Sequence, residues 1–257
     1  MFKPFPELDS ILSDFVQAVR AILDITYVGT YLQGSFALGA GDLQSDCDFV
    51  VVTSVAPSGE RERQLRLLHA DIPTRPGAWN QNLEGCYADA TSLATIAGLG
   101  AKWLYVDRGH RDMSWSNHDN SLHTRWILRH HGITLDGPPI RGLLDEVPAA
   151  ALREAARRDL PGTLEEIRTW ANMDNAWTQR YVVETYCRVL YTMRTGEVSS
   201  KPAALEWAME ACDPTWRPLL RQVAEDRTLQ WKPVDPPRPG SMERAYAFAS
   251  YVEGLAL

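Results

Sequence analysis

The sequence has little positive charge and no long run of it. Lysine and arginine together number 26 against 33 aspartate and glutamate residues, which gives a net charge of -7. The most basic segments are Arg157-Arg158 and the mixed stretch 61–63. Proteins that bind nucleic acid need a basic surface that displaces counterions from phosphates. We therefore predict no nucleic-acid partner, and the acidic balance favours a small cationic substrate.

Cysteine is also scarce, and its spacing excludes common structural uses. The four cysteines stand at positions 47, 86, 187 and 212, and no two of them form a Cys-x-x-Cys pair. We therefore expect buried free thiols instead of a zinc site or a disulfide framework. Five of the six histidines lie within residues 108–131. Their spacings do not form a compact zinc set, so hydrogen-bonded structural histidines are expected.

Long apolar runs are missing as well. No segment approaches the roughly 20 apolar residues that a membrane-spanning helix needs. The first residues lack the basic-then-apolar order of a signal peptide. From these two features we predict a cytoplasmic protein that has no membrane partner, and we expect it to act as a monomer.

The spacing of apolar residues predicts strands and helices in the first half of the chain and only helices in the second. In the first half we expect helices over 7–24, 60–70 and 120–131, and strands over 27–33, 48–53, 82–88 and 101–107. In the second half we expect helices over 149–158, 163–173, 178–195, 202–212 and 241–255. This order indicates an α+β fold, in which a mixed β-sheet with helices is followed by an α-helical bundle domain.

Three local signals refine this outline. The run over 48–53 is continuously apolar, which is typical of a strand buried on both faces. Thr163 and Glu166 have the spacing of a capping box at a helix start. Pro202 suits the first turn of a helix.

The most informative motif is Gly34-Ser35 followed, after ten residues, by Asp46-Cys47-Asp48. Residues two apart on a strand point to the same face, so both carboxylates can bind the same pair of metal ions. Magnesium prefers such hard oxygen ligands together with substrate phosphates. Gly34 lets the backbone approach a phosphate because it has no Cβ, and the hydroxyls of Ser35 and Ser45 can contact phosphate. The alternative is a turn glycine, a surface serine and two solvated acids.

This motif resembles the signature of the polymerase-β-like nucleotidyltransferases. The resemblance implies two magnesium ions that bind the triphosphate of ATP, and a third carboxylate on a later strand. Glu84 is the best candidate for that third ligand and for the base that deprotonates an acceptor hydroxyl. Asp89 is second, because its odd offset from Glu84 puts it on the opposite face of the strand. The alternative for Glu84 is an ordinary solvent-facing acid.

The second half resembles the helical domain of bacterial aminoglycoside adenylyltransferases of the streptomycin and spectinomycin type. The resemblance extends from Leu164 to Met209 and is carried by Thr169-Trp170, the segment 181–188, the segment 195–201 and the segment 206–209. It implies a nucleotidyltransferase domain over 1–145 and, over 146–257, a helical domain that binds the substrate and closes on ATP.

The same resemblance implies roles for four residues of the helical domain. Arg188 and Lys201 would contact the ATP phosphates, and Trp170 and Asp174 would contact the aminoglycoside. Two of these roles have a simpler alternative that the sequence leaves open. Arg188 stands four residues after Glu184, the spacing of a helix-surface salt bridge, and Trp170 can equally be a core residue.

Residues 108–131 match the resistance enzymes poorly, which allows a different acceptor. Trp115 and Trp126 in this segment can flank an aromatic pocket, although core packing is the expected role. We predict magnesium-dependent transfer of AMP from ATP to a hydroxyl of a small cationic acceptor, an aminoglycoside, with release of pyrophosphate. The alternatives are another small metabolite, a protein side chain as in toxin–antitoxin nucleotidyltransferases, or a non-catalytic nucleotide-binding module.

Overall fold

A six-stranded mixed sheet organises the first half of the chain. The structure is a computed structural model that describes residues 5–229 and 235–256, and its contacts divide the chain into two units, Met1–Val147 and Pro148–Leu257. The strands are Tyr27–Leu32 (β1), Cys47–Thr53 (β2), Leu83–Asp89 (β3), Trp103–Val106 (β4), Ser114–Ser116 (β5) and Ile133–Asp136 (β6). Their order is β5-β4-β3-β2-β1-β6, in which β2 and β3 are parallel and the other neighbours are antiparallel.

Helices cover both faces of this sheet. The helices of the first unit are Pro6–Leu23 (α1), Gly34–Ala37 (α2), Gly59–Asp71 (α3), Ala90–Ala94 (α4) and Leu122–His131 (α5). On one face, Phe49 and Val51 of β2 pack with apolar residues of α1 and α3. On the other, Val50 and Val52 pack with Leu128 of α5. Because alternate residues of a strand face opposite ways, β2 is buried on both faces, which confirms the prediction from its apolar run.

The second unit consists of helices. They are Ala149–Asp159 (α6), Thr163–Trp170 (α7), Ala176–Thr195 (α8), Lys201–Ala211 (α9), Arg217–Arg227 (α10) and Ser241–Gly254 (α11). Helix α8 is central and packs against α6, α9, α10 and α11. It begins where the side chain of Asn175 accepts a hydrogen bond from the Thr178 amide, and it ends at Gly196, whose φ of 75° is left-handed. The predicted α+β fold with a helical second half is confirmed.

Several local predictions need correction. The short edge strands β5 and β6 were not predicted, because strands of three or four residues leave little periodicity in the sequence. The 11-residue helix α10 was missed as well. The predicted capping box is wrong: Gly162 occupies the N-cap, and the Thr163 hydroxyl donates to the Asp159 carbonyl. Pro202 does lie in the first turn of α9. All four cysteines are buried free thiols, as expected.

Residues 5–229 and 235–256 contain no helix that combines the length and the apolar character needed to cross a bilayer.

One buried titratable group belongs to the core of the first unit. His69 of α3 is 2% exposed and stacks on Phe49. Its Nε2 lies 2.8 Å from the hydroxyl of Tyr87 on β3. Burial disfavours the charged imidazole and lowers the pKa of His69 to about 3.

This depressed pKa predicts an acid-dependent loss of stability. From pH 6.5 down to about 3 the unfolded chain binds a proton at His69 that the folded chain excludes. The free energy of unfolding therefore falls with pH in this window, by up to about 1.4 kcal/mol per pH unit from this site. In His69→Gln, whose side chain can still bond the Tyr87 hydroxyl, we expect a shallower pH dependence. Urea denaturation of both proteins between about pH 7 and pH 5 measures it; parallel curves would contradict the assignment.

Candidate active site

The pairing of β2 with β3 brings two of the predicted acids together. In this parallel pair Asp48 stands opposite Glu84, and Val50 stands opposite Cys86. Partners in register point to the same face of the sheet, so both carboxylates lie on the face that carries Val50 and Val52. Asp46 immediately precedes β2, and its charge acts on Glu84. The structure therefore groups the three predicted acids where two parallel strands begin.

Glu84 is a mostly buried carboxyl with a raised pKa. Its side chain is 15% exposed, and Oε1 accepts a 2.7 Å hydrogen bond from the Tyr105 hydroxyl. Burial raises the pKa of Glu84 to about 7; the Tyr105 bond opposes this, and the charges of Asp46, Asp119 and Asp107 add to it. Glu84 is therefore not a solvent-facing strand acid, and its carboxyl can exchange a proton near neutral pH.

Gly34 stands against the carboxylate of Asp48. The Gln33 amide donates to the Asp48 carbonyl at 2.9 Å, which fixes the start of α2 beside β2. Gly34 has a φ of +62°, and a Cβ at this position would overlap Asp48 Oδ2. The next residue, Ser35, has a buried Oγ that makes no hydrogen bond within the described residues. A buried hydroxyl without a hydrogen bond lowers the stability of the fold unless a ligand supplies the missing bond. The Gly-Ser pair is therefore suited to a phosphate oxygen.

Ser45 has a different immediate role. Its hydroxyl donates to Asp42 Oδ1 at 3.0 Å and accepts from the Asp42 amide at 3.1 Å. These bonds shape the loop that leads into Asp46. Direct contact between Ser45 and a phosphate stays a prediction.

Arg108 is a member of this group that sequence reasoning missed. Its Nε lies 2.9 Å from Asp46 Oδ1 and donates to Asn82 Oδ1 at 3.0 Å. The antiparallel pairing of β3 with β4, in which Gly85 stands opposite Val106, brings the end of β4 to the start of β3. No spacing in the sequence signals that pairing, because the partners are more than 20 residues apart.

Three other predicted candidates belong to the framework. Asp89 Oδ1 accepts from the Ser92 amide at 2.9 Å and caps α4, so the second choice for a third metal ligand serves a helix start. Trp126 is buried in the core, as expected. Trp115 is partly buried and packs against the core beside α1 and α3.

The donor set suits magnesium, although the described part of the chain contains no three His, Cys, Asp or Glu side chains that already form a metal site. Asp46, Asp48 and Glu84 offer the hard oxygens that magnesium prefers. Asp46 holds a cationic guanidinium at one of these oxygens, so this position already attracts positive charge.

The second unit carries a group of aromatic side chains of which Trp170 is exposed and two are partly buried. Trp170, at the end of α7, is 51% exposed, so the core alternative for it is wrong. Its ring lies edge-on to Trp177 at 6.3 Å and to Tyr181 at 5.4 Å, and the latter two stack at 5.1 Å. We call these three residues the aromatic cluster. Trp177 and Tyr181 were missed, although their spacing of four on α8 puts them on one helix face.

Two predicted phosphate ligands are associated with this cluster. Lys201 lies beside it, and Arg188 is on α8, the helix that carries Trp177 and Tyr181. Lys201 Nζ is 4.9 Å from the centre of the Tyr181 ring, a cation–π distance. Glu184 accepts a hydrogen bond from Arg227 at 3.2 Å. The acid that could have formed a helix-surface salt bridge with Arg188 is therefore paired with an arginine of α10. The Arg188 Nε is buried and has no hydrogen-bond partner among the residues that the structure describes. The sequence had left these outcomes open because they depend on which helix packs against α8.

Asp174 lies in the loop between α7 and α8. The predicted helix over 163–173 ends at Trp170, and the Asp174 amide donates to Asn172 Oδ1 at 3.0 Å. The loop then enters α8 through the cap at Asn175. Trp170 is therefore the last residue of α7, and Asp174, four residues later, lies in the loop that follows it.

Comparisons with known proteins identify relatives of this chain. Residues 142–246 match the family described as aminoglycoside adenylyltransferase, C-terminal domain. An aminoglycoside (3'')(9) adenylyltransferase of Klebsiella pneumoniae is 32% identical over 250 residues, which cover 83% of each chain. A spectinomycin 9-adenylyltransferase of Staphylococcus aureus is 35% identical over 209 residues, 76% of each chain.

Among solved structures, the fold is similar to that of spectinomycin adenyltransferase AAD(9) from Enterococcus faecialis, crystallised with ATP and spectinomycin. The TM-score is 0.70 at 16% sequence identity, and the match covers 95% of this chain and 97% of the other. At this identity the likeness concerns the fold.

The contact between Gly34 and Asp48 predicts different effects for two similar substitutions. Gly34 and Gly39 both have a positive φ, so replacement by alanine strains either backbone by about 1–2 kcal/mol. Only at Gly34 does the added Cβ meet the Asp48 carboxylate, since Gly39 faces open space. We expect Gly34→Ala to weaken ATP binding at least about tenfold, and Gly39→Ala to leave it unchanged. Isothermal titration calorimetry measures both; equal affinities in the two variants would contradict the assigned contact.

Proposed function

The chain belongs to the family of aminoglycoside (3'')(9) and spectinomycin 9-adenylyltransferases, and from that premise we propose that it transfers AMP from ATP to a hydroxyl of an aminoglycoside. The acceptor is of the streptomycin or spectinomycin type, and pyrophosphate is released. The observation that carries this proposal is the pairing of Asp48 with Glu84 beside Gly34.

Three acids would hold two magnesium ions. Asp46, Asp48 and Glu84 supply the carboxylate oxygens, and the ions, when bound, neutralise charge on the triphosphate and on the departing group. The chain itself provides the positions of these acids through β2, β3 and the Gly34 contact.

Glu84 is the proposed base. The contacts of Tyr105 and His118 both fall on Glu84 Oε1, at 2.7 and 3.9 Å, which leaves Oε2 for the acceptor hydroxyl. As Glu84 takes the proton, the acceptor oxygen bonds to the α-phosphorus. The bond from that phosphorus to the bridging oxygen breaks, and the electron pair leaves with pyrophosphate. Positioning and charge neutralisation supply most of the rate in such transfers.

Each unit, taken by itself, offers groups that suit phosphate in this proposal. The Ser35 hydroxyl, which has no hydrogen-bond partner within residues 5–229 and 235–256, and the backbone at Gly34 receive phosphate oxygens, with Ser45 nearby in sequence. Arg188 and Lys201 add positive charge for the departing pyrophosphate. The Arg188 Nε has no hydrogen-bond partner in the part of the chain that the structure describes, which supports this role, because a buried guanidinium nitrogen gains most from an anionic ligand.

The acceptor contacts the aromatic cluster and Asp174. An ammonium or guanidinium group binds well over an exposed ring and beside a carboxylate. Trp170 offers such a ring, and Asp174 follows four residues later. The net charge of -7 also favours a cationic acceptor over a nucleic acid. Because the reaction consumes ATP, we place it in the cytoplasm.

Pyrophosphate release tests the reaction and its base together. Purified protein with ATP, magnesium and either spectinomycin or streptomycin should release pyrophosphate, and mass spectrometry should find one AMP on the drug. Glu84→Gln should lower the rate by about 10²–10⁴-fold because the base is removed. The control Asp89→Asn should keep the rate and largely keep the cap of α4, because Asn and Asp are comparable N-cap residues.

Release with neither drug would contradict the acceptor. Label from ATP on lysate proteins would then favour a protein acceptor, and label on a small molecule a different metabolite. ATP binding without transfer to any acceptor would indicate a non-catalytic module.

Two substitutions in the second unit separate the acceptor from the nucleotide. In Trp170→Ala we expect a KM for the drug raised about tenfold or more with an unchanged KM for ATP, because an exposed ring is lost from the acceptor side. In Arg188→Gln we expect the reverse pattern. Steady-state kinetics with each substrate varied in turn measures both, and the same pattern in the two variants would show that these roles are wrong.

A further inference from the structure

We propose that Arg108 is a placeholder cation, which neutralises Asp46 while no metal is bound and leaves that carboxylate when a divalent ion arrives. The inference rests on the proposed function, since it takes Asp46 to be a metal ligand. It gives a role in the site to a residue of the segment 108–131. That segment matches the resistance enzymes poorly.

The contact is an ion pair between two partly exposed side chains, although the Asp46 oxygen in it is itself buried. Arg108 Nε lies 2.9 Å from Asp46 Oδ1, and the same nitrogen donates to Asn82 Oδ1. The side chains of Arg108 and Asp46 are 43% and 34% exposed. Either side chain can therefore change rotamer without disturbing the core.

A second arginine of the same unit shows the contrast. Arg125 is 1% exposed. Its guanidinium donates to Asn120 Oδ1 at 2.6 Å, to the Ser92 carbonyl at 2.7 Å and to the Leu93 carbonyl at 3.2 Å. That arginine is built into the framework, whereas Arg108 is held mainly by one carboxylate and one amide.

The charges around the site explain why a cation is needed there. Asp46, Asp107 and Asp119 all act electrostatically on Glu84, so several acids share a small region. Without a counter-charge these carboxylates repel one another, and Arg108 relieves that repulsion. A divalent ion does the same more strongly, and two cations on one carboxylate repel each other. The ion therefore displaces the guanidinium.

Manganese binding without nucleotide tests this competition. Free Mn²⁺ is counted by electron paramagnetic resonance during titration of the wild type and of variants. In Arg108→Gln we expect binding about two- to fivefold tighter, the factor that corresponds to the strength of an exposed ion pair. Arg108→Lys keeps the charge and should resemble the wild type, which also guards against a folding effect. Arg111→Gln is the matched control, because Arg111 lies in the same loop as Arg108 but donates to the Ala70 carbonyl of α3.

The outcomes separate this inference from the proposed function. Unchanged or weaker Mn²⁺ binding in Arg108→Gln would overturn the placeholder role, whatever the activity of the protein. Equal binding by the wild type and Asp46→Asn would mean that the ion does not use Asp46, which overturns the metal assignment as well. A direct readout is the Nε–Hε NMR signal of Arg108, identified by its loss in Arg108→Gln. It should shift on Mg²⁺ addition to the wild type and stay still in Asp46→Asn.

Discussion

The parallel pairing of β2 with β3 is the constraint on which the candidate site depends. Parallel neighbours need a crossover connection, and here residues 54–82, including α3, provide it. The crossover is anchored by buried Leu65 and His69 against the sheet. Because the pairing is in register, Asp48 and Glu84 stand side by side although 35 residues separate them. A slip of one residue would send Glu84 to the opposite face.

Around this pair, the fold brings acids together and then balances them. Burial raises the pKa of Glu84, while the Tyr105 hydroxyl and the Arg108 guanidinium supply hydrogen bonds and positive charge nearby. Both partners come from β4 or its end, which the antiparallel pairing with β3 sets beside the acids. The same neighbouring strand thus tunes the candidate base and holds a candidate metal ligand.

The second unit contributes aromatic surface and positive charge through one central helix. Helix α8 carries Trp177, Tyr181 and Arg188, and the helices before and after it add Trp170 and Lys201. Since α8 packs against four other helices, its partly buried residues Trp177, Tyr181 and Arg188 are held in place by the core. This suits a unit whose proposed task is to bind an acceptor and phosphate charge.

The sequence by itself determined what depends on neighbours along the chain. The Gly34-Ser35 and Asp46-x-Asp48 motifs, the doubly buried strand β2 and most helices follow from local spacing and periodicity, and the family resemblance rests on the same motifs. Tertiary structure alone decided that Arg108 meets Asp46, that Tyr105 bonds Glu84, and that Glu184 pairs with Arg227. These partners lie more than 20 residues apart, so strand pairing and helix packing bring them together, and no local pattern encodes that proximity.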